Sequence, residues 1–169
     1  MSRRFQPQAQ TLTLPSVLDR LLDDEPNEPD RGAMLYFDLT DFKAALARDL
    51  EALLNTRVLQ QEELFDRYPE ASRSVIRWGI PDLSGLTLLS PNNREMLRGA
   101  VQYAIERFES RLSQVKVTLN VPEKPESFMG RSLRFRVDGT LKIHPRRPPV
   151  SFDATLQLSS NAYQVRENS

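Results

Sequence analysis

Apolar residues along the chain change period once. As far as Leu112 they recur at helical spacing, and from Ser113 onward they alternate. Ser16 is placed to cap a short helix with Val17, Leu18, Leu21 and Leu22 as its apolar face and Asp19 near its N-terminal end. The acidic, proline-broken stretch 23–30 stops it. Thr40 is the next expected N-cap, with Asp41 in the first turn, and Phe42, Ala45, Leu46, Leu50, Leu53 and Leu54 make the stripe of an amphipathic helix. A polar connection through Tyr68 and Pro69 leads to a short helical segment around 72–78, closed by Gly79 and a turn over 80–85. The longest helix then opens with Ser90 as cap and Pro91 at the first helical position. Its apolar residues are Met96, Leu97, Ala100, Val101, Ala104, Ile105, Phe108 and Leu112.

Three alternating runs follow. Val115, Val117, Leu119 and Val121 form the first, Leu133, Phe135, Val137, Leu141 and Ile143 the second, and Val150, Phe152, Ala154, Leu156 and Leu158 the third. Each strand has one apolar face that needs a cover, and the long helix can supply it. The expected architecture is α+β, with N-terminal helices and one long helix packed on a small three-stranded antiparallel sheet. Residues 1–14 read as a flexible arm, 15–160 as a single domain (15–112 mainly helical, 113–160 sheet), and 161–169 as a tail. In that arrangement Val150–Leu158 is an edge strand carrying only Asp153 as a charge and no internal proline. Either a partner strand pairs with it, or a helix, a loop or the tail covers it.

The length of 169 residues, with 39% apolar and 27% charged, is that of one ordinary globular domain. The 23 basic and 23 acidic side chains cancel, which removes any whole-molecule argument for a nucleic-acid partner. The cancellation conceals a division: residues 1–112 hold 14 basic and 18 acidic groups, residues 113–169 hold 9 and 5, so the helical part carries −4 and the sheet part +4. Lys116, Arg134, Arg136 and Lys142 fall at outward strand positions or beside them and form a candidate partner-facing basic patch. Arginine outnumbers lysine 19 to four, which suits bidentate pairing with carboxylates, although a GC-rich genome would produce the same bias.

The absence of cysteine excludes disulfides, thiolate metal sites and a cysteine nucleophile, and His144, the single histidine, excludes a multi-imidazole zinc site within one chain. No glycine-rich phosphate loop is present, no cofactor is expected, and neither a signal peptide nor a membrane span is legible, so a cytoplasmic protein is expected. The remaining enzymatic pattern is a carboxylate pair, Glu106 and Glu109, at i and i+3 on one helix face. A glycosidase would need one of them protonated, and the neighbouring Arg107 and Arg111 push the other way. Glu109 also sits at a helix C-terminus, where it opposes the dipole. It pairs internally with Arg107, Arg111 or a strand arginine, or it meets an opposite charge on another chain; the sequence leaves both open.

Four segments in order, 16–26 (SVLDRLLDDEP), 49–57 (DLEALLNTR), 78–85 (WGIPDLSG) and 108–112 (FESRL), resemble the TssE family. These are lysozyme-like baseplate subunits of the bacterial type VI secretion system, related to the small wedge proteins of contractile phage tails. The resemblance covers roughly residues 16–158. It implies the baseplate-wedge lysozyme-like fold and a structural, non-enzymatic role in the cytoplasm, in a baseplate docked at the inner membrane without direct membrane insertion. It also implies TssF, TssG and a TssK-containing baseplate as neighbours, and TssB–TssC sheath as the polymer whose first ring the subunit templates by strand-edge pairing, through Val150, Phe152, Asp153, Ala154, Leu156 and Leu158. The family's Glu-Pro-Arg motif, which binds the wedge core, matches Glu109 and Arg111. Ser110 stands in place of its proline, so no ring fixes φ where the helix exits. The alternative implied by the lysozyme-like label is a peptidoglycan hydrolase using Glu106 and Glu109.

Overall fold

A computed structural model of the chain describes residues 16, 17, 19, 37–58, 62–82, 85, 90–120, 132–142 and 146–168. The expected N-terminal arm, the acidic stretch 23–30 and His144 lie outside them. Helix α1, Leu39–Asn55, is capped by Asp38 rather than Thr40: the Asp38 carboxylate accepts from the Thr40 and Asp41 amides, and the Asp41 carboxylate accepts from the Asp38 amide in return. Phe42, Ala45, Leu46, Ala47, Leu50, Leu53 and Leu54 are its buried face. A short helix α2, Glu62–Arg67, and two 3₁₀ turns, Ala71–Arg73 and Val75–Arg77, occupy the polar connection. Helix α3, Pro91–Phe108, begins as its proline requires and buries Leu97, Val101, Ala104 and Ile105, while Met96 and Tyr103 face outward.

Between the helices, the Ile80 amide donates to the Thr56 carbonyl and the Val58 amide to the Ile80 carbonyl, each at 3.0 Å, making a one-residue parallel bridge. Gly79 permits this approach. Its φ is 127°, and a Cβ there would lie 2.4 Å from the Thr56 carbonyl oxygen.

The sheet has four antiparallel strands in sequence order, not the expected three: β1 Leu112–Asn120, β2 Ser132–Leu141, β3 Pro149–Gln157 and β4 Ala162–Glu167. The fourth lies in the segment read as a tail, with Tyr163 and Val165 as its two buried side chains. A bulge between Ser113 and Lys116, with Gln114 at φ 54°, lets β1 leave the helix junction and still join the β2 register. Phe135, Val137, Phe152, Ala154 and Leu141 meet the apolar faces of α1 and α3 in one core. Helices cover that one face of the sheet, α1 over β4 and β3 and α3 beside β1; on the other face the described strand residues are polar or charged except for Pro149 and Ala162.

Candidate protein-interaction site

Helix α3 is capped at its C-terminus by Glu109, whose amide still donates to the Ile105 carbonyl at 2.9 Å; three residues later the chain has become β1. This abrupt exit brings the Glu109 carboxylate back onto Arg111. Arg111 Nε donates to Glu109 Oε1 at 2.7 Å and Nη2 to Oε2 at 2.5 Å, a bidentate fork, and the Arg111 amide donates to Oε1 at 3.0 Å. The Arg111 Nη2 group also donates to Asp49 Oδ2 on α1 at 2.8 Å, and the guanidinium carbon stands 5.7 Å from the Phe42 ring centre. With Ser110 supplying no ring to fix φ, Arg111 is thus aimed by hydrogen bonds. Glu109 is 7% exposed, and the broken dipole rule at that position has an internal answer.

The ionic chain continues along α1. Arg48 Nη2 donates to Asp49 Oδ1 at 2.9 Å and also pairs with Asp19, which Ser16 bonds through a reciprocal cap, its hydroxyl 2.6 Å from Asp19 Oδ2. Burial would raise the Asp19 carboxyl, but the hydrogen bonds from Ser16 and Arg48 outweigh it and hold the group below the usual carboxylate range. Burial likewise opposes the Arg111 charge; Glu109 and then Asp49 overcome it and hold the guanidinium above its ordinary value. Alternating charges from Asp19 to Glu109 therefore tie the N-terminal turn, α1 and the α3–β1 junction together. Among the described residues no hydrogen bond engages Arg111 Nη1, and the side chain is 17% exposed.

The two candidate carboxylates have different surroundings: Glu106 is exposed and accepts from Gln102 Nε2 at 2.9 Å, whereas the Glu109 carboxylate is enclosed in the Arg111 fork. Among the described residues no group of His, Asp or Glu is arranged to hold a metal ion.

The expected edge strand is not an edge. Val150–Gln157 belongs to β3, which is hydrogen-bonded to β2 on one side and β4 on the other; Val150, Phe152, Ala154 and Leu156 point into the core, and Leu158 lies in the turn beyond. The segment read as a tail covers it. Only two inward apolar residues in six mark β4, which is why alternation alone missed it.

Lys116, Arg134 and Arg136 do share the helix-free face, and Lys142 is exposed just past β2. Their charge is partly answered. Asp138 stands opposite Lys116, and Asp153 lies 3.6 Å from Arg136. Arg166 on β4, opposite Asp153, adds a cation that only knowledge of the fourth strand could supply.

A family model described as baseplate wedge protein gp25 matches residues 40–146, a span that holds α1 from its second residue, α3, β1, β2 and the Asp49–Arg111–Glu109 cluster. No curated protein and no solved structure matches the chain. The match takes in more than half of the 169 residues, and the chain belongs to the gp25 family of baseplate wedge proteins.

Proposed function

We propose that this baseplate wedge protein is the TssE-type subunit of a type VI secretion baseplate. It docks on the wedge core formed with TssF and TssG, and it offers the first TssB–TssC sheath ring a sheet edge to build on, in a TssK-containing baseplate on the cytoplasmic side of the inner membrane. The observation that carries the docking role is the Arg111 fork. A guanidinium already held by Glu109 and Asp49 presents Nη1 to a partner with little rotamer entropy left to lose. With β3 internal, the edge offered to the sheath belongs to β1 or β4.

Arg111→Lys tests the docking role, because it keeps the charge and loses the fork. The variant is expected to melt within a few degrees of the parent yet fail to co-purify with TssF–TssG. Normal co-purification of a variant that has lost the fork overturns the role assigned to Arg111.

A further inference from the structure

Helix side chains close both edges of the sheet, but unequally. On β4, Asn55 Nδ2 donates to the Tyr163 carbonyl at 2.9 Å, the Tyr163 amide donates to Asn55 Oδ1 at 2.8 Å, and the Val165 amide donates to Glu51 Oε2 at 2.9 Å. These are full-strength bonds. On β1, the Val117 amide reaches Gln102 Oε1 at 3.4 Å and the Val117 carbonyl is reached by Arg98 Nη1 at 3.4 Å, both at the weak end of hydrogen bonding.

The two closing side chains on β1 are also satisfied without it. Arg98 Nε donates to both Glu95 oxygens at 2.9 and 3.0 Å, Arg98 Nη1 donates to Gln102 Oε1 at 2.7 Å, and Gln102 Nε2 donates to Glu106 at 2.9 Å. Releasing Val117 leaves this row along α3 intact. Among the described residues no such reserve backs β4, where Asn55 spends both amide atoms on Tyr163.

Between α3 and the β1 edge runs an open groove of about 630 Å³. Arg94, Arg98 and Lys116 line it with one carboxylate, Glu95, which Arg98 holds, and the half-buried Leu119 gives it an apolar floor. Strand alternation turns the Leu119 amide the same way as that of Val117, along the groove.

We propose that the β1 edge is a latched docking groove for an extended, acidic segment of a partner chain. The segment displaces Gln102 and Arg98 from Val117, pairs with the Val117 and Leu119 backbone as a fifth strand, and sets its carboxylates against Arg94 on the helix side or Lys116 on the open side. This rests on the reading of the chain as a subunit that offers a sheet edge; it adds which edge, what closes it and the charge of the strand that opens it.

The test titrates the isotope-labelled full chain with a blocked nine-residue peptide alternating glutamate and valine, followed by amide NMR at low salt. The Val117 and Leu119 amides are expected to shift while those of Tyr163 and Val165 stay still. Gln102→Ala removes one side of the latch and should bind about fivefold tighter, the worth of one net hydrogen bond. A peptide with lysine replacing glutamate should bind at least fivefold more weakly, roughly what one rim ion pair contributes. Leu119→Pro, which deletes that outward amide together with the apolar floor of the groove, should abolish binding. No shift at Val117 in the Gln102→Ala chain, a response at β4 instead, or equal binding of the lysine peptide overturns the proposal. Sheath nucleation by the parent chain is measured separately. A chain that nucleates sheath but ignores the peptide refutes the latch alone, and one that binds the peptide at β1 but nucleates no sheath refutes the templating role alone.

Discussion

Arg111 Nη2 lies 2.8 Å from Asp49 Oδ2, joining positions 62 residues apart at the point where helix gives way to sheet. Two carboxylates share one guanidinium there, and one of them, Glu109, is almost fully enclosed. Reversing the central charge would leave three carboxylates facing one another. Arg111→Glu is therefore expected to destabilise the isolated chain by roughly 3 kcal/mol, about 10 °C in Tm, in addition to any loss of docking. Asp49→Asn, which leaves the Glu109 fork in place, should cost clearly less. Thermal melts of the two variants check the order.

Gly79 supports a different joint. With φ at 127° and the Thr56 carbonyl 2.4 Å from where a Cβ would sit, Gly79→Ala must push the Arg57–Ile80 bridge apart. A loss of roughly 3 kcal/mol is expected. Urea unfolding gives the magnitude, and faster amide exchange at Val58 and Ile80 locates it.

Alkaline pH offers a third measurement. Burial pushes the Tyr163 phenol up to about 12 from 10.0, against a smaller opposing effect of the Arg57 charge. A folded pKa above the unfolded one means that the neutral phenol's contribution is whole below pH 10 and is lost as pH rises toward 12. Over that window the parent should lose roughly 2–3 kcal/mol that Tyr163→Phe retains, so their melting curves, compared at neutral and alkaline pH, should diverge as pH climbs.

A wall-hydrolase reading makes the opposite demand on Glu109. With its carboxylate enclosed by Arg111, the parent protein, Glu106→Gln and Glu109→Gln are all expected to leave a purified cell-wall suspension equally turbid. Clearing by the parent that disappears in Glu109→Gln would sink the structural reading.

Much of this architecture can be read along the chain, and the losses have physical causes. The change of period at Ser113 marks the start of the sheet to within a residue, because a half-covered sheet imposes strict alternation on β1, β2 and β3. β4 lies where side-chain alternation is nearly silent: its hold on the fold is through the Asn55 and Glu51 side chains, and such bonds leave no periodic trace. Missing it turned β3 into an edge. At the site, the Glu109–Arg111 pair is two residues apart and open to local reasoning, whereas Asp49 reaches it only through the packing of α1 against α3. The basic patch follows from outward strand positions, but its partial neutralisation by Asp138 and Asp153 depends on register across strands.

The clamp of α1 on β4 also orders events in time. The Val165 amide finds its acceptor, Glu51, 114 positions earlier in the chain, so α1 emerges from the ribosome well before the strand it is built to cover. Contacts of such span make folding slow and nearly all-or-none. A nascent chain halted before β4 would expose the apolar face of α1 and the β3 edge together, a sticky intermediate that chaperones or proteases would meet first. If the subunit docks through Arg111 as proposed, synthesis through β4 would act as a completeness check, because the Asp49 that anchors Arg111 lies on that same helix.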